Sequence, residues 1–304
     1  MFRSFITFLG PKRESQPGPH LGSHLVFGCT IVCTLVACIA CSSGSGYVKI
    51  KGSETVLPIA LELAEQVSYD PNLPLVSVTA GGSGVGIAAL VEGNTDLAMS
   101  SRDMKLEEKL RIRSRGHDFV EVTIAFDALA LVVHKSNPVD SISLEQAKTI
   151  FQGKVTNWKE LGGKDLPIVA FNRESSSGTY EFFKKEVLRK EKFGKLQTVG
   201  ANGELVEKIG SNNRTIGYVG IAFVDTHRVK TLRIFSPEQG KSIEATIANS
   251  MNGSYPLSRP LFFYFLKEKA AEVGPIISLI TSERGQRMVL KTGYPPNPKY
   301  LPVL

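Results

Sequence analysis

Four short segments of the chain place serine or threonine, in three of them together with glycine, where a helix or turn is about to begin. They cover residues 52–55 (GSET), 81–84 (GGSG), 100–102 (SSR) and 173–179 (RESSSGT). Free N–H groups at a helix start carry partial positive charge, hydroxyls add donors, and glycine lets a compact oxyanion approach the backbone. Serine and threonine are also common helix caps, so one such segment would predict only a cap. Four of them, with Arg173 six residues before Thr179, predict convergence on one anion.

The spacing of apolar residues predicts the elements that would position these segments. Strands are predicted at 48–50, 75–79, 96–99, 168–171 and 216–220, and helices at 56–67, 87–91, 143–151 and 180–188. Strand, glycine turn, helix, strand is the order of a parallel α/β sheet, whose ligands bind beyond the carboxyl ends of the strands. The polar turns are therefore expected to face one crevice. Two apolar strands, 127–133 and 260–265, are predicted to cross between lobes.

Other chemistries that such residues could serve fail on spacing. Only His20 and His24 stand four residues apart, and both lie in the N-terminal segment, so a zinc hydrolase has no support. Around Ser83 the G-x-S-x-G pattern of serine hydrolases ends on Val85 instead of glycine. Residues 84–89 match the dinucleotide pattern G-x-G-x-x-A, which we interpret as a helix start packed on a sheet. We therefore expect no enzymatic activity, no metal and no cofactor.

The first 46 residues predict export and lipid anchoring. Basic residues precede an apolar run at 25–37, which is short for a bilayer span, and the run ends in L-V-A-C at 35–38. These four residues resemble the bacterial lipobox, which implies a signal peptide over 1–37, lipidation of Cys38 and a flexible tether over 38–46. Lipidation of Cys41 and an uncleaved N-terminal anchor are the alternatives.

Cysteine usage and charge set limits on the remaining chain. All cysteines lie in the first 41 residues, so the body has neither a disulfide nor a thiolate ligand. The formal net charge is +7; residues 1–37 hold three basic residues and one acidic, so the chain from Cys38 carries +5. Because its lysines and arginines are dispersed among acids, nucleic-acid binding is not expected.

Five segments in order resemble the motifs of one known family. They are GSETV at 52–56, GSGVGI at 82–87, DLAMSSR at 96–102, FQGKVTNW at 151–158 and RESSSGT at 173–179. This order and spacing, over nearly all of the chain from Tyr47, are similar to the phosphate-binding component of bacterial phosphate ABC transporters. The resemblance implies an α/β, two-lobed type II periplasmic binding protein fold, each lobe a mixed, mainly parallel sheet flanked by helices. Two strands join the lobes, with lobe 1 at 47–131, lobe 2 at 132–255 and a return segment at 256–304.

The resemblance also implies a ligand set for inorganic phosphate. It comprises Thr55, Val56 through its backbone N–H, Ser83, Ser101, Arg173, Ser177, Gly178 and Thr179. Arg173 is expected to be the only charge-neutralising partner, because its planar fork matches two phosphate oxygens. Some members have carboxylates at the positions of Ser101 and Ser175. A carboxylate at the first position accepts the proton of hydrogen phosphate and so rejects sulfate, which carries no proton. With serines at both positions, we expect weaker rejection of sulfate.

The expected function is therefore capture of phosphate and delivery to membrane permease subunits by a monomeric, lipid-anchored protein outside the cytoplasmic membrane. Alternatives are a binding protein for sulfate or a molybdate-like ion, an envelope adhesin on the same scaffold, and a phosphatase. For Arg173 the alternative is a surface ion pair with Glu174 or a neighbouring residue. Trp158 and Tyr218 are expected to be packing residues, and the sequence leaves the role of Asp103 open. The charged residues 105–111 indicate a solvated helix face.

Overall fold

The computed structural model describes residues 47–301, which form a mixed α/β fold. The strands are β1 Val48–Gly52, β2 Val76–Ala80, β3 Leu97–Ser100, β4 Phe119–His134, β5 Ser141–Ser143, β6 Val169–Arg173, β7 Gln197–Val199, β8 Thr215–Gly220, β9 Val229–Ser236, β10 Lys241–Ile243 and β11 Ser258–Leu266. The α-helices are α1 Leu57–Ser68, α2 Ser83–Val91, α3 Leu106–Ser114, α4 Leu144–Phe151, α5 Gly178–Glu186, α6 Asn202–Gly210, α7 Ile247–Met251, α8 Ala270–Ile280 and α9 Glu283–Lys291. Short 3-10 helices cover Trp158–Leu161, Ile221–Phe223 and Lys267–Lys269. The predicted α/β class is confirmed.

The strands follow the order β2-β1-β3-β11-β4-β8-β6-β7. Strands β2, β1 and β3 are parallel at one end, and β8, β6 and β7 are parallel at the other. Between them β11 and β4 run antiparallel to their neighbours, and β9 joins the last residues of β4 to β5 and β10. We call the part built on β1–β3, β11 and the first half of β4 lobe 1. Lobe 2 is the part built on β5–β10 and the end of β4.

Strand β4 forms the first crossing between the lobes. Its residues 119–128 pair with β11 in lobe 1, and its residues 129–133 pair with β8 in lobe 2. The predicted crossing strand 127–133 lies within it and is confirmed. The return crossing at 260–265 is wrong, because these residues pair with β3 and with the lobe 1 half of β4. The chain returns earlier, where the Leu257 carbonyl accepts a hydrogen bond of 2.9 Å from the N–H of Leu129.

Each lobe has a buried apolar core of its own. The lobe 2 core contains Trp158 and a stacked pair, Phe183 on Tyr218, with ring centroids 4.1 Å apart. The lobe 1 core is formed by apolar side chains of β1, α1, β11, α8 and α9. Trp158 and Tyr218 are both buried, as predicted for packing residues. The lobe boundaries at residues 131 and 255 stay a prediction.

Helix α2 packs directly on β1 at Gly86. A side chain at this position would collide with the backbone of Lys51 and Gly52. Close packing of a helix on a strand is one of the roles that glycine has in G-x-G-x-x-A patterns. The interpretation of residues 84–89 as a packed helix start is therefore confirmed.

The predicted signal peptide (1–37), the tether (38–46) and the lipidation site Cys38 lie outside the described residues. Among the helices of residues 47–301, none combines the length and apolar character that crossing a bilayer requires.

Candidate anion-binding site

The four polar segments meet where the lobes face each other. Thr55 follows β1, Ser83 begins α2, Ser101 follows β3, and Thr179 lies in the first turn of α5. Each of these four residues is at most 2% exposed. Lobe 1 supplies the first three and lobe 2 the fourth, as expected if the carboxyl ends of the parallel strands face one crevice. Their role as ligand groups stays a prediction.

Side-chain hydroxyls form two neighbouring hydrogen-bonded groups in this region, which together we call the hydroxyl network. Ser53 Oγ donates to Ser101 Oγ at 3.0 Å, and Ser101 Oγ lies 3.4 Å from Ser83 Oγ. The N–H of Ser101 donates to Ser83 Oγ at 3.1 Å. Across the lobes, Thr55 Oγ1 and Thr179 Oγ1 are 2.9 Å apart. A hydroxyl can both donate and accept, so this network can adapt to an oxyanion with or without a proton.

The lobes approach each other closely around this network. The N–H of Gly84 in lobe 1 donates to the Ser176 carbonyl of lobe 2 at 3.0 Å. A side chain at Gly178 would collide with the hydroxyls of Ser83 and Ser101. The start of α5 therefore packs directly on the lobe 1 hydroxyls, and a larger residue at position 178 would have to displace them.

Arg173 ends strand β6 and points into the interface between the lobes. Its side chain is 3% exposed. Its Nη2 donates to Glu54 Oε2 and to the Gly200 carbonyl, both at 2.6 Å, and its Nη1 donates to Asn202 Oδ1. Its Nε has no hydrogen-bond partner within residues 47–301. Burial lowers the pKa of Arg173, while the Glu54 carboxylate acts in the opposite direction.

Glu54 is the acidic partner of this arginine, and the sequence analysis did not identify it. Both Glu54 carboxylate oxygens also accept from the N–H of Asn202, at 3.1 Å, at the start of α6. A carboxylate at a helix N-terminus is favoured by the partial positive charge there. The predicted alternative, a surface pair with Glu174, is wrong because Arg173 is buried and pairs across the lobes. Glu54 lies inside the GSETV segment, but nothing in that segment indicates a pairing with Arg173, which is 119 residues away.

A second buried guanidinium, that of Arg259, contacts Thr179. Arg259 is 2% exposed, and its Nε and Nη2 donate to Asp127 Oδ2 at 3.1 and 2.8 Å. The same Nη2 donates to Thr179 Oγ1 at 3.0 Å. The guanidinium carbon stands 5.0 Å from the ring centre of Phe182. Arg259 is already paired with Asp127, so the expectation that Arg173 is the only charge-neutralising partner of the ligand stays a prediction.

Comparison with known proteins identifies the family. Residues 40–282 match a family model described as a PBP superfamily domain. The phosphate-binding protein PstS of Staphylococcus haemolyticus is 35% identical over 74% of this chain and 72% of its own length. The protein of the same name from Staphylococcus aureus strain USA300 is 34% identical over 85% of this chain and 79% of its own length. The chain belongs to the PstS family of the PBP superfamily.

Solved structures agree with this membership. One from Clostridium perfringens, described as a phosphate ABC transporter substrate-binding protein with bound phosphate, has a TM-score of 0.75 and 36% identity. The match covers 83% of this chain and all of that one. An ABC-type phosphate transport receptor from Vibrio cholerae has a TM-score of 0.67 and 30% identity over 81% of this chain and 98% of that one. The predicted two-lobed periplasmic binding protein fold is confirmed.

Two predicted ligand residues of this PstS family member are engaged in local structure. The N–H of Val56 donates to the Ser53 carbonyl at 3.1 Å. Ser177 caps α5, because its Oγ accepts from the N–H groups of Thr179 and Tyr180 at 3.2 and 3.4 Å. The hydroxyl proton of Ser177 remains available to another acceptor, whereas Val56 would have to share its N–H.

Other predicted residues lie apart from the network. Ser175 is exposed, so the expectation that it lines the pocket with Ser101 is wrong. Asp103 is also exposed, and Arg102 contacts only its backbone carbonyl, at 2.8 Å. Arg102 is held by both oxygens of Glu108, at 2.8 and 2.7 Å. The Glu108 side chain is 15% exposed, so the prediction of a solvated face is wrong at this residue.

Proposed function

We propose that this protein captures inorganic phosphate between its lobes and delivers it unchanged to a membrane ABC permease. The observation that carries the proposal is the buried hydroxyl network contributed by both lobes, together with the buried Arg173, which pairs with Glu54 between Ser53 and Thr55. Relatives that are named phosphate-binding proteins support the choice of ion. The role is transport without catalysis. In residues 47–301 no group of three His, Cys, Asp or Glu is arranged to hold a metal ion.

The chemistry of the network suits a small tetrahedral oxyanion. Hydroxyls donate to its deprotonated oxygens, and a hydroxyl can also accept the proton that hydrogen phosphate carries. Arg173 adds a charge-assisted hydrogen bond through Nε, which lacks a partner in the described part of the chain. The proposed ligand groups are the hydroxyls of Thr55, Ser83, Ser101, Ser177 and Thr179, the N–H groups of Val56 and Gly178, and the Arg173 guanidinium.

Calorimetric titration of the purified protein tests the proposal. After denaturation and refolding to remove bound anion, we expect one phosphate per chain. Sulfate and molybdate, titrated separately and in competition, address the alternative of another tetrahedral oxyanion. If sulfate or molybdate binds more tightly than phosphate, that ion is the ligand and the proposal is wrong. If none of the three binds, the adhesin alternative is favoured.

The serines in place of acids lead to a prediction about selectivity. Ser101→Asp adds a negative charge inside the network, next to Ser53 and Ser83. Like-charge proximity should then disfavour the fully deprotonated sulfate, while the proton of hydrogen phosphate can bond to the new carboxylate. We expect the ratio of sulfate to phosphate dissociation constants to rise by at least about 10-fold, which corresponds to ~1.4 kcal/mol.

Ser101→Asn is the matched control, because it adds the same volume without the charge. Competition titrations of both variants separate the two effects. A selectivity ratio that rises equally in the aspartate and asparagine variants, or in neither, would contradict the charge argument.

We also propose that the chain is exported, cleaved before Cys38 and held at the membrane by lipid on Cys38. The L-V-A-C sequence at 35–38 and the Ser/Gly-rich residues that follow support this anchoring. For the lobes we propose the boundaries 47–131 and 132–255, with a return segment at 256–304. A monomer is proposed for the mature protein. The lipid would keep the binding protein close to its permease, and the tether would leave the lobes free to move.

Cys38→Ala should release the protein from membranes without changing phosphate binding. A single covalently attached chain contributes about 0.8 kcal/mol per buried CH₂ to membrane affinity, and removing the attachment site removes this contribution. Fractionation and metabolic labelling with a fatty acid provide the measurement, and Cys41→Ala is the control. Retention of the label in Cys38→Ala and its loss in Cys41→Ala would move the anchor to Cys41.

A further inference from the structure

The buried ion pair between Arg259 and Asp127 has no assigned role. The two residues stand directly opposite each other in the pairing of β11 with β4. Both are almost completely buried, at 2% and 0% exposure. Withdrawing two charges from water costs about as much as their attraction returns, so a buried pair of this kind is weak evidence for a purely stabilising role.

The pair contacts the hydroxyl network through one atom. Arg259 Nη2, which bonds Asp127, also donates to Thr179 Oγ1 at 3.0 Å. The direction of this hydrogen bond is fixed, because a guanidinium has donors and no acceptor. Thr179 Oγ1 lies 2.9 Å from Thr55 Oγ1 as well. One lone pair of Thr179 is therefore occupied by Arg259, and its single proton is left for another acceptor.

The arginine itself is held firmly in this position. Asp127 Oδ2 accepts from both Nε and Nη2, and Asp127 Oδ1 accepts from the N–H of Ile221 at 3.1 Å. A side chain at Gly220 would press on the Asp127 carboxylate, at 2.9 and 3.0 Å from its oxygens. The carboxylate is thus fixed at the point where β4 passes from lobe 1 to lobe 2, and it fixes the guanidinium in turn.

We propose that Arg259 is a positioning residue of the anion site and acts through Thr179. By occupying one lone pair, it makes Thr179 a hydrogen-bond donor toward a deprotonated oxygen of the bound anion. The bond also links β11 of lobe 1 to the first turn of α5 in lobe 2, so the threonine is oriented only when the lobes are together. This inference rests on the proposed phosphate binding and extends it to a residue outside the proposed ligand set.

A double-mutant cycle with Arg259→Lys and Thr179→Val tests the inference. Lysine keeps the positive charge and can pair with Asp127, but its single ammonium lacks the fork that reaches Asp127 and Thr179 together. Valine keeps the shape of threonine and removes the hydroxyl. We expect Arg259→Lys to weaken phosphate binding by about 10-fold in the parent protein and by less than about twofold in Thr179→Val.

Asp127→Asn provides a second variant, which keeps Arg259 but removes the carboxylate charge that fixes its guanidinium. It should weaken phosphate binding by about 3- to 10-fold in the parent and leave the Thr179→Val protein unchanged. Thermal unfolding of all variants supplies a separate readout. A loss of stability alone would appear equally with and without the Thr179 hydroxyl, whereas the expected loss of affinity appears only with it.

Arg287→Lys is the control for the arginine-to-lysine exchange, since Arg287 pairs with Glu283 on the surface of α9 with 67% side-chain exposure. Phosphate affinity of Arg259→Lys within about twofold of the parent, or an equal loss in both Thr179 backgrounds, would overturn the inference. If the parent protein itself fails to bind phosphate, the proposed function is wrong. The two failures are therefore distinguishable.

Discussion

Replacing Arg173 with methionine is expected to weaken phosphate binding by about 100-fold or more. Hydrogen bonds to charged groups are worth about 1.5–3 kcal/mol each, and ~1.4 kcal/mol corresponds to a factor of ten in the dissociation constant. Arg173 is buried at the end of β6, where it pairs with Glu54 between Ser53 and Thr55, and methionine fills similar volume without the charge. Calorimetric titration with phosphate is the measurement.

Two controls separate binding from folding in this experiment. The substitution leaves Glu54 without its cationic partner, so the double variant Glu54→Gln/Arg173→Met removes the orphaned carboxylate. Arg287→Met removes an arginine from an exposed ion pair with Glu283. We expect the double variant to recover thermal stability but not affinity, and Arg287→Met to bind as the parent does. An affinity of Arg173→Met within about twofold of the parent would contradict the proposed site.

Gly178→Ala is expected to reduce phosphate affinity by at least about 100-fold through a steric effect. The added methyl group would collide with the hydroxyls of Ser83 and Ser101, so the lobes could not come together around the ion. Because binding in a cleft depends on closure, an anion held by one lobe alone would lose the contacts of the other. Calorimetry reports the affinity, and small-angle scattering with and without phosphate reports closure.

Gly203→Ala is the matched control, because a side chain there would meet nothing within 4 Å. It also lies in the first turn of a helix, α6, as Gly178 does in α5. The control should bind phosphate normally and become more compact when phosphate is added. If Gly178→Ala did the same, the interface described between α5 and the lobe 1 hydroxyls would not be the binding cleft.

The hydroxyl residues could be predicted from the sequence because their signal is local. Each lies within a few residues of the end of an apolar strand, three of them in a segment that contains glycine, and strand ends of a parallel sheet meet at one edge. The four segments were found in this way, and the resemblance to the family selected Thr55, Ser83, Ser101 and Thr179 within them. The structure buries all four side chains where the lobes face each other. Arg173 was found because it begins the same segment as Thr179.

The charged partners could not be predicted because their signal is not local. Glu54 is 119 residues from Arg173, and Asp127 is 132 residues from Arg259. A buried charge needs a partner, but any of the chain's 29 acidic residues could have served until the pairing of β4 with β11 was known. The return crossing was misplaced for the same reason. An apolar run such as 260–265 predicts that a strand forms, but not which strands it pairs with.

A crystal structure of the protein with stoichiometric phosphate, grown without other oxyanions, tests the central claim most directly. We expect the ion between the lobes, with its oxygens within about 3.2 Å of the Thr55, Ser83, Ser101 and Thr179 hydroxyls and of the Arg173 guanidinium. Arg259 should remain bonded to Thr179 without touching the ion. Phosphate bound elsewhere, with no ion at the hydroxyl network, would contradict the proposed binding site.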